Sequence, residues 1–448
     1  MDWLAGRFAK RTAGFTRRQT LRPLGRAGSG VVSDTLAVSP DRRHVAWFER
    51  RPGGRFVVHD GRDVRVAGTP WVGPPLLSKD GRLLYGVKSE QGESIVVDGQ
   101  VLAAHEGTGP ATFSPDGRRI AYAALNAGRW RFIVDGEQLP EFKLIAFAII
   151  QGPGFRLKGF TPDSEHFVYV GSEGNENVVM IDSTEVARYT GDMDPEFAAT
   201  RDGSVLAYAV VVGNQMAVQR NRELLQVYDE VAMPTFSPDG SRFVYTAMRG
   251  QQVFLVEAEH ESEPFDTVMD NSILFSADGR HLAFAAMVGG RWHVVMDGVR
   301  SKPYAGVLDR TSVFSPDGKR FAYAAGLSPD DIEVVVDQEV VGRHPRVGGG
   351  SLAFSPDGAS FAYSAREKVG CERVMLDGSP GPKYTLAADI LPETTEAGVK
   401  RYSGGASIIF DTNAAFHYLA VKESNGLLIR GPSTDIYVVE ETTGGVPE

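Results

Sequence analysis

One short stretch, Phe314-Ser315-Pro316-Asp317-Gly318, recurs along the chain and constrains everything around it. Aligned on its serine, copies stand at Ser39, Ser78, Ser114, Thr161, Thr200, Ser237, Ser276, Ser315 and Ser355, with a degenerate copy at Asp411. The intervals are 39, 36, 47, 39, 37, 39, 39, 40 and 56 residues. A period near forty means one supersecondary unit stacked many times, which overrides any domain count taken from length.

The unit reads as four strands. An apolar run ends in Phe, as at Phe113, Phe236, Phe275 and Phe354. Pro then presets φ for a turn, Ser and Asp bond nearby amides, and Gly accepts a positive φ. A second run carries an aromatic eight residues after the serine position: Trp47, Tyr122, Tyr169, Tyr208, Tyr245, Phe284, Tyr323 and Tyr363. A β-branched third run follows, such as Val334-Val335-Val336, and five copies end it in Asp-Gly (Asp60, Asp98, Asp135, Asp297, Asp377). Asp-Gly between extended runs is a strong hairpin signal. A more polar fourth run leads to the next copy, and no helical period intervenes. The fold class is therefore all-β, a β-propeller of about ten four-stranded repeats.

Over residues 36 to 448 these repeats resemble the TolB-type (PD40) propeller family, which is WD40-like. No Trp-Asp dipeptide occurs, so the resemblance is not to WD40 proteins proper. The α/β domain that precedes the propeller in TolB has no counterpart in the roughly 35 residues before the first repeat. The resemblance implies a fold and not TolB's role.

Ten units exceed the usual four to eight blades. They can form one large ring, or two smaller rings dividing near residue 232. The last repeat lacks a fourth run, while residues 19–32 lie where a fourth strand would precede the first repeat. We therefore expect residues 19–448 to be closed by the N-terminal strand, with residues 1–18 as a basic tail. Trp3, Leu4, Phe8 and Phe15 fall near one helical face, so the tail is either an amphipathic anchor for a membrane surface or a solvated terminus. Thr16-Arg17-Arg18-Gln19-Thr20-Leu21 has the twin-arginine pattern of an export signal, but Arg22, Pro23 and Arg26 occupy the apolar stretch that such a signal requires.

Net charge is −10 over 448 residues. Residues 1–30 hold seven Lys/Arg against Asp2, or +6, which leaves −16 on the rest. An acidic body disfavours nucleic acid, whose binding rests on phosphate neutralisation. The single Cys371 excludes an internal disulfide and fits a reducing compartment. No apolar run approaches a membrane span. The expected location is the cytoplasm.

No catalytic pattern emerges. The nine His (44, 59, 105, 166, 260, 281, 293, 344 and 417) form no H-x-H, H-x-x-x-H or H-E-x-x-H pattern, so no metal or cofactor site is assigned. No G-x-S-x-G occurs to suggest a propeller-linked hydrolase. The turn Asp recurs in nine copies, which suits turn bonding better than catalysis. Catalytic, cofactor and metal residues are thus all none.

A meander puts the Ser-Pro-Asp-Gly and Asp-Gly turns on one face and the second-to-third loops on the other. Those loops vary between repeats, and varied loops on one face of a repeat protein suit binding. Candidate partner-binding residues are Asn126, Arg129, Trp130, Glu173, Asn175, Arg249, Gln251, Arg291, Trp292 and Asp330. Trp130 and Trp292 are equivalent, each after an Arg, and read either as a ligand platform or as blade packing. Three insertions break the period, Glu141–Lys158, Ala387–Gly405 and Glu423–Asp435, and all are expected on this loop face. The leading expectation is a non-enzymatic protein-interaction platform with a protein partner. The alternatives are a lyase- or lactonase-like enzyme or small-ligand binder with its site in the axial funnel, and a peripheral membrane adaptor using the basic tail.

Overall fold

The computed structural model describes residues 15–27, 31–32, 35–66, 68–70, 74–147, 149–152, 155–190, 196–368, 371–387, 407–423 and 434–445. Ten antiparallel sheets follow one another along the chain, each built on four strands. Blade 6 shows the unit: Glu230–Phe236, Phe243–Arg249, Gln252–Glu257 and His260–Glu261, hydrogen-bonded in that order. Fourth strands such as Gln100–Val101, Glu137–Gln138 and Val299–Arg300 are exposed, which makes them the rim.

The core is not one mass. Ten buried clusters lie between blades, one at each junction. Alternation explains this, because successive residues of a middle strand face opposite neighbours. Trp47 and Val58 of blade 1 face blade 10, whereas Phe48 and Val57 face blade 2. Blades 5 and 6, on either side of residue 232, share one cluster that includes Val218, Val231 and Tyr245. A single ring of ten blades results.

Ring closure uses the N-terminal strand. Phe15–Ala27 runs antiparallel to Thr434–Gly445 as the outermost strand of blade 10. It takes in Phe15 to Arg18, which the sequence suggested were tail; residues 1–14 lie outside the described residues. The register shifts between Pro23 and Gly25, so Leu24 is an extra bulged residue. The bulge turns Leu24 inward to 1% exposure, where it joins Trp47, Val58, Leu419 and Ile436. Only Gly fits beside it. A Cβ on Gly25 would sit 2.8 Å from Trp47 Cη2, at a φ of +144°. Arg17 fastens the other half of the strand. It pairs with buried Glu441, and its Nη1 and Nη2 donate to the carbonyls of Ser379 and Val374 in blade 9, each at 3.2 Å.

Two features of the inner strands were not expected. In blades 7, 8 and 9 the first strand is split into two-residue pieces around a turn, as at Thr267–Val268 and Leu274–Phe275. A hydroxyl closes each turn. Ser272, Thr311 and Ser351 donate to the carbonyls of Met269, Leu308 and Gly348, and accept the amides of Ala285, Ala324 and Ser364. These turns also touch across blades, since Gly350 N donates to Arg310 O at 2.9 Å and Ser407 N to Gly350 O at 2.8 Å. Backbones of successive blades meet this closely where first strands converge on the axis.

The second feature corrects the expectation for Glu141–Lys158. Leu144–Phe147 is the first strand of blade 4. Ile149–Gly152 and Phe155–Lys158 form a hairpin whose first arm pairs in parallel with Glu196–Ala199, the first strand of blade 5. The insertion therefore extends the axial edge of blade 5, and does not lie among the loops of the opposite face. The central parts of the other two insertions, residues 388–406 and 424–433, lie outside the described residues.

Candidate functional site

The two faces are built differently. On the turn face each repeat bonds itself first. In blade 6, Ser237 Oγ donates to Asp239 Oδ1 at 2.6 Å and accepts Arg242 N at 2.9 Å, while Ser241 N donates to the same carboxylate at 3.1 Å. These bonds, from Ser237 above all, hold the Asp239 carboxyl at about 2. Thr200 does the same to Asp202, again at about 2. In seven blades an Asp at the end of the third strand accepts the first amide of the second strand, as Asp135 does from Ile120 N at 2.9 Å, and in blade 5 Asn221 takes this place. Asp60, Asp98 and Asp135 take positive φ with the following Gly, as a type I′ turn requires.

Blades are then clamped to one another. Arg242 pairs with Glu257 of its own blade at 2.6 Å. Its Nη1 donates to Gly279 O and Arg280 O in the turn of blade 7, at 3.1 and 2.7 Å. Its guanidinium lies 4.9 Å from the Phe275 ring centroid. Arg82, Arg119 and Arg320 repeat all three contacts, on Asp98 and Phe113, Asp135 and Phe160, and Asp337 and Phe354. At the seam His417 replaces the arginine: it pairs with Asp411 at 2.8 Å, and its Nε2 lies 2.7 Å from Asp41 O in blade 1. The turn glycines complete the packing. A Cβ on Gly117 would lie 2.8 Å from Asp80 Oδ1 of the preceding blade, and one on Gly279 2.9 Å from Asp239 Oδ1. The turn acids and the clamp arginines of this face are thus bonded to one another and to turn backbone.

The opposite face is open. A Cβ added at Gly128, Gly174, Gly213, Gly250 or Gly290, at the tips of five second-to-third loops, would meet nothing within 4 Å. Asn126, Asn175, Arg249, Gln251, Arg291 and Asp330 are exposed here. Asn126 Nδ2 lies 3.0 Å from His105 Nδ1, and Arg249 pairs with Glu261 at 2.8 Å above the Tyr228 ring. Arg129 links blades 3 and 4 by pairing with Glu173, and also pairs with Glu141 at 3.2 Å. Trp130 and Trp292 are half-buried and pack against the junction clusters of their blades. The ten candidates thus lie along the loops of several blades, with only Arg129 and Glu173 in direct contact among the pairs described above.

A cleft of about 420 Å³ opens between blades 8 and 9 on this face. Val307, Leu308, Pro329, Ile332 and Val347 give it an apolar floor, with Arg346 at its edge and Asp330 next to Pro329. Sequence reasoning missed it because the walls come from three loops about twenty residues apart. The aromatic of the second strand supplies no reactive group: burial pushes the Tyr208 and Tyr245 phenols up to about 12.

No family model matches the chain, and no curated protein matches it. Among solved structures it is similar to a eukaryotic initiation factor at 14% identity and a TM-score of 0.44, covering 80% of this chain and 98% of that one. The Dos1 propeller follows at 13% identity and a TM-score of 0.33, with coverages of 77% and 92%. TolB from Acinetobacter baumannii is similar at 14% identity and a TM-score of 0.28, with coverages of 59% and 77%. The strand pairing of this chain itself defines the architecture, and on that ground the protein is a ten-bladed β-propeller.

Proposed function

We propose that this propeller is a non-enzymatic interaction platform of the TolB (PD40) type that binds a protein partner through its loop face. The contrast between the faces carries the reading. The turn acids and the clamp arginines of the turn face are bonded within their blade and to the next one, whereas the loop face presents exposed polar and cationic groups and a cleft of mixed polar and apolar lining. Exposed polar and cationic side chains on loops that vary from blade to blade suit a protein interface. Exposed Arg249, Gln251 and Arg291 on the loops of blades 6 and 7, and Asp330 next to the cleft residue Pro329, are the residues on which the reading rests.

The test is affinity capture with the full chain and with a variant carrying Arg249→Ala, Gln251→Ala, Arg291→Ala and Asp330→Ala. A partner held by the wild type and released by the variant supports the loop face. A partner held equally by both sinks the assignment. An axial-funnel enzyme would instead require converging acids, bases or metal ligands on the first strands. The one His/Asp cluster among the described residues, His44, His59 and Asp60, stands at the ends of the middle strands of blade 1.

A further inference from the structure

We propose that blade 1 holds a divalent transition-metal site, of the zinc class, formed by His44, His59 and Asp60. This is independent of the loop face, since these residues belong to the turn face. One ligand atom from each residue can be chosen so that all three lie within 4.8 Å of one another.

Comparison with the other blades isolates the unusual residue. A base beside the second strand pairs with the acid that ends the third strand, and in three blades that base is His. The pairs are His44–Asp60, His166–Asp182 and His281–Asp297, at 2.6, 2.8 and 2.6 Å. Such a pair is part of the repeat's own bonding and needs no ligand. Blade 1 alone adds a second histidine. The residue before the acid is Val97, Val134, Ile181, Met296, Val336 or Leu376 in the other blades that carry it, but His59 here.

The His59 ring packs 6.2 Å from the His44 ring, but one of its nitrogens makes no hydrogen bond. Its Nε2 is shielded from water and has no hydrogen-bond partner; it lies 3.8 Å from Asp60 Oδ2, beyond hydrogen-bond reach. Buried polar atoms in native proteins are paired as a rule, and an exception calls for a missing partner. A metal is a partner that suits all three groups. Zinc takes imidazole nitrogen and carboxylate oxygen at about 2 Å in a tetrahedron, which sets ligand atoms about 3.3 Å apart. Small side-chain rotations bring the present spacings there, with His44 exchanging its hydrogen bond to Asp60 for a bond to the metal.

The surroundings fit a site held from outside its ligands. Asp60 Oδ1 accepts Val45 N at 3.0 Å, which orients the carboxylate and leaves Oδ2 for the metal. The side chains of His44, His59 and Asp60 are 26%, 26% and 22% exposed, so solvent reaches the cluster and a water can complete the coordination. The site adjoins blade 2, because a Cβ on Gly81 would lie 2.7 Å from the His44 ring.

The probes are zinc chloride and cobalt chloride, added to the full untagged chain. Equilibrium dialysis with elemental analysis should find one zinc per chain at micromolar free metal, and cobalt should give the visible absorption of a low-symmetry site. His59→Val restores the residue type of other blades, so the fold survives and affinity should fall at least tenfold. His281→Ala disrupts an equivalent pair that lacks a third donor and should leave binding unchanged. No stoichiometric zinc in the wild type, or equal binding by His59→Val, overturns the proposal.

Discussion

The turn face and the loop face use the same residue types to different ends. Arg242 and Arg249 stand at the two ends of one strand region of blade 6. Arg242 is fixed by an acid of its own blade, two carbonyls of the next and a ring beneath it. Arg249 pairs with exposed Glu261 of its own blade, above the rings of Phe254 in blade 6 and of Tyr228 in the fourth strand of blade 5. The glycines of the Ser-Pro-Asp-Gly turns, such as Gly117 and Gly279, are closed in by the preceding blade, whereas Gly128, Gly174 and Gly250 at loop-face tips stand in open space. The lesson is that the turn face repeats one blade-to-blade clamp around much of the ring, whereas the loop face links blades by contacts that differ from one junction to the next, such as Arg129 with Glu173.

The largest expected effect comes from paired glycine substitutions. Gly279→Ala combines a left-handed backbone with a Cβ 2.9 Å from Asp239 Oδ1, and should destabilise by about 2–3 kcal/mol. Gly250→Ala has a similar φ but open space, and should lose only about 1 kcal/mol. Denaturant unfolding measures both, and equal losses would erase the packing difference between the faces. Arginines give the next contrast. Arg320→Ala removes an ion pair, two carbonyl bonds and a ring contact, and should lose about 1–2 kcal/mol, whereas Arg249→Ala should lose under about 1 kcal/mol.

A pH effect sharpens the account of the turn face further. Asp239 is held at about 2, below an unfolded value of about 3.9. Its contribution is therefore complete above pH 4 and is lost as pH falls through about 2. The melting temperature of Asp239→Asn should sit below that of the wild type at pH 6, and the gap should close between pH 4 and 2. A constant gap would mean that ionisation of the turn acid is irrelevant. Smallest of all, the fourfold loop-face variant should leave the melting temperature within about 2 °C of wild type, because exposed surface substitutions rarely exceed about 0.5 kcal/mol.

Much of the ring was legible because its signals are local. Each Ser-Pro-Asp-Gly and Asp-Gly turn declares its own hairpin, and the missing fourth run of the last repeat pointed to residues 19–32 as the closing strand, which is seen at Phe15–Ala27 beside Thr434–Gly445. Ring number was not local. It depends on how much each blade rotates relative to the last, which no single residue encodes. The arginine clamp could have been found, since Arg119, Arg242 and Arg320 each stand five residues after the turn serine or threonine. Its partner is the Phe before the next turn, and only the stacked blades bring the two together. Ser272, Thr311 and Ser351, each four residues before the turn serine, likewise marked the split inner strands. The hairpin at Ile149–Lys158 gave no such mark, because joining the axial edge of blade 5 is a tertiary choice. His44 and His59 are fifteen residues apart in sequence and become neighbours through hairpin register, which short motif patterns do not sample. For the binding face the variable loops were visible, and the cleft among them was not.

The seam has a consequence for how the protein can be handled and what it can carry. Phe15 stands opposite Gly445, so the two ends of the described chain leave the rim as neighbours, about 5 Å apart. Cargo attached at either end is delivered to the same sector of the ring. A short peptide could join the ends and the chain be cut at another loop tip, giving the same wheel with a different first spoke. Blade 10 would then become an ordinary covalent blade, and the tie now made by Arg17 and Leu24 would pass to whichever sector was opened.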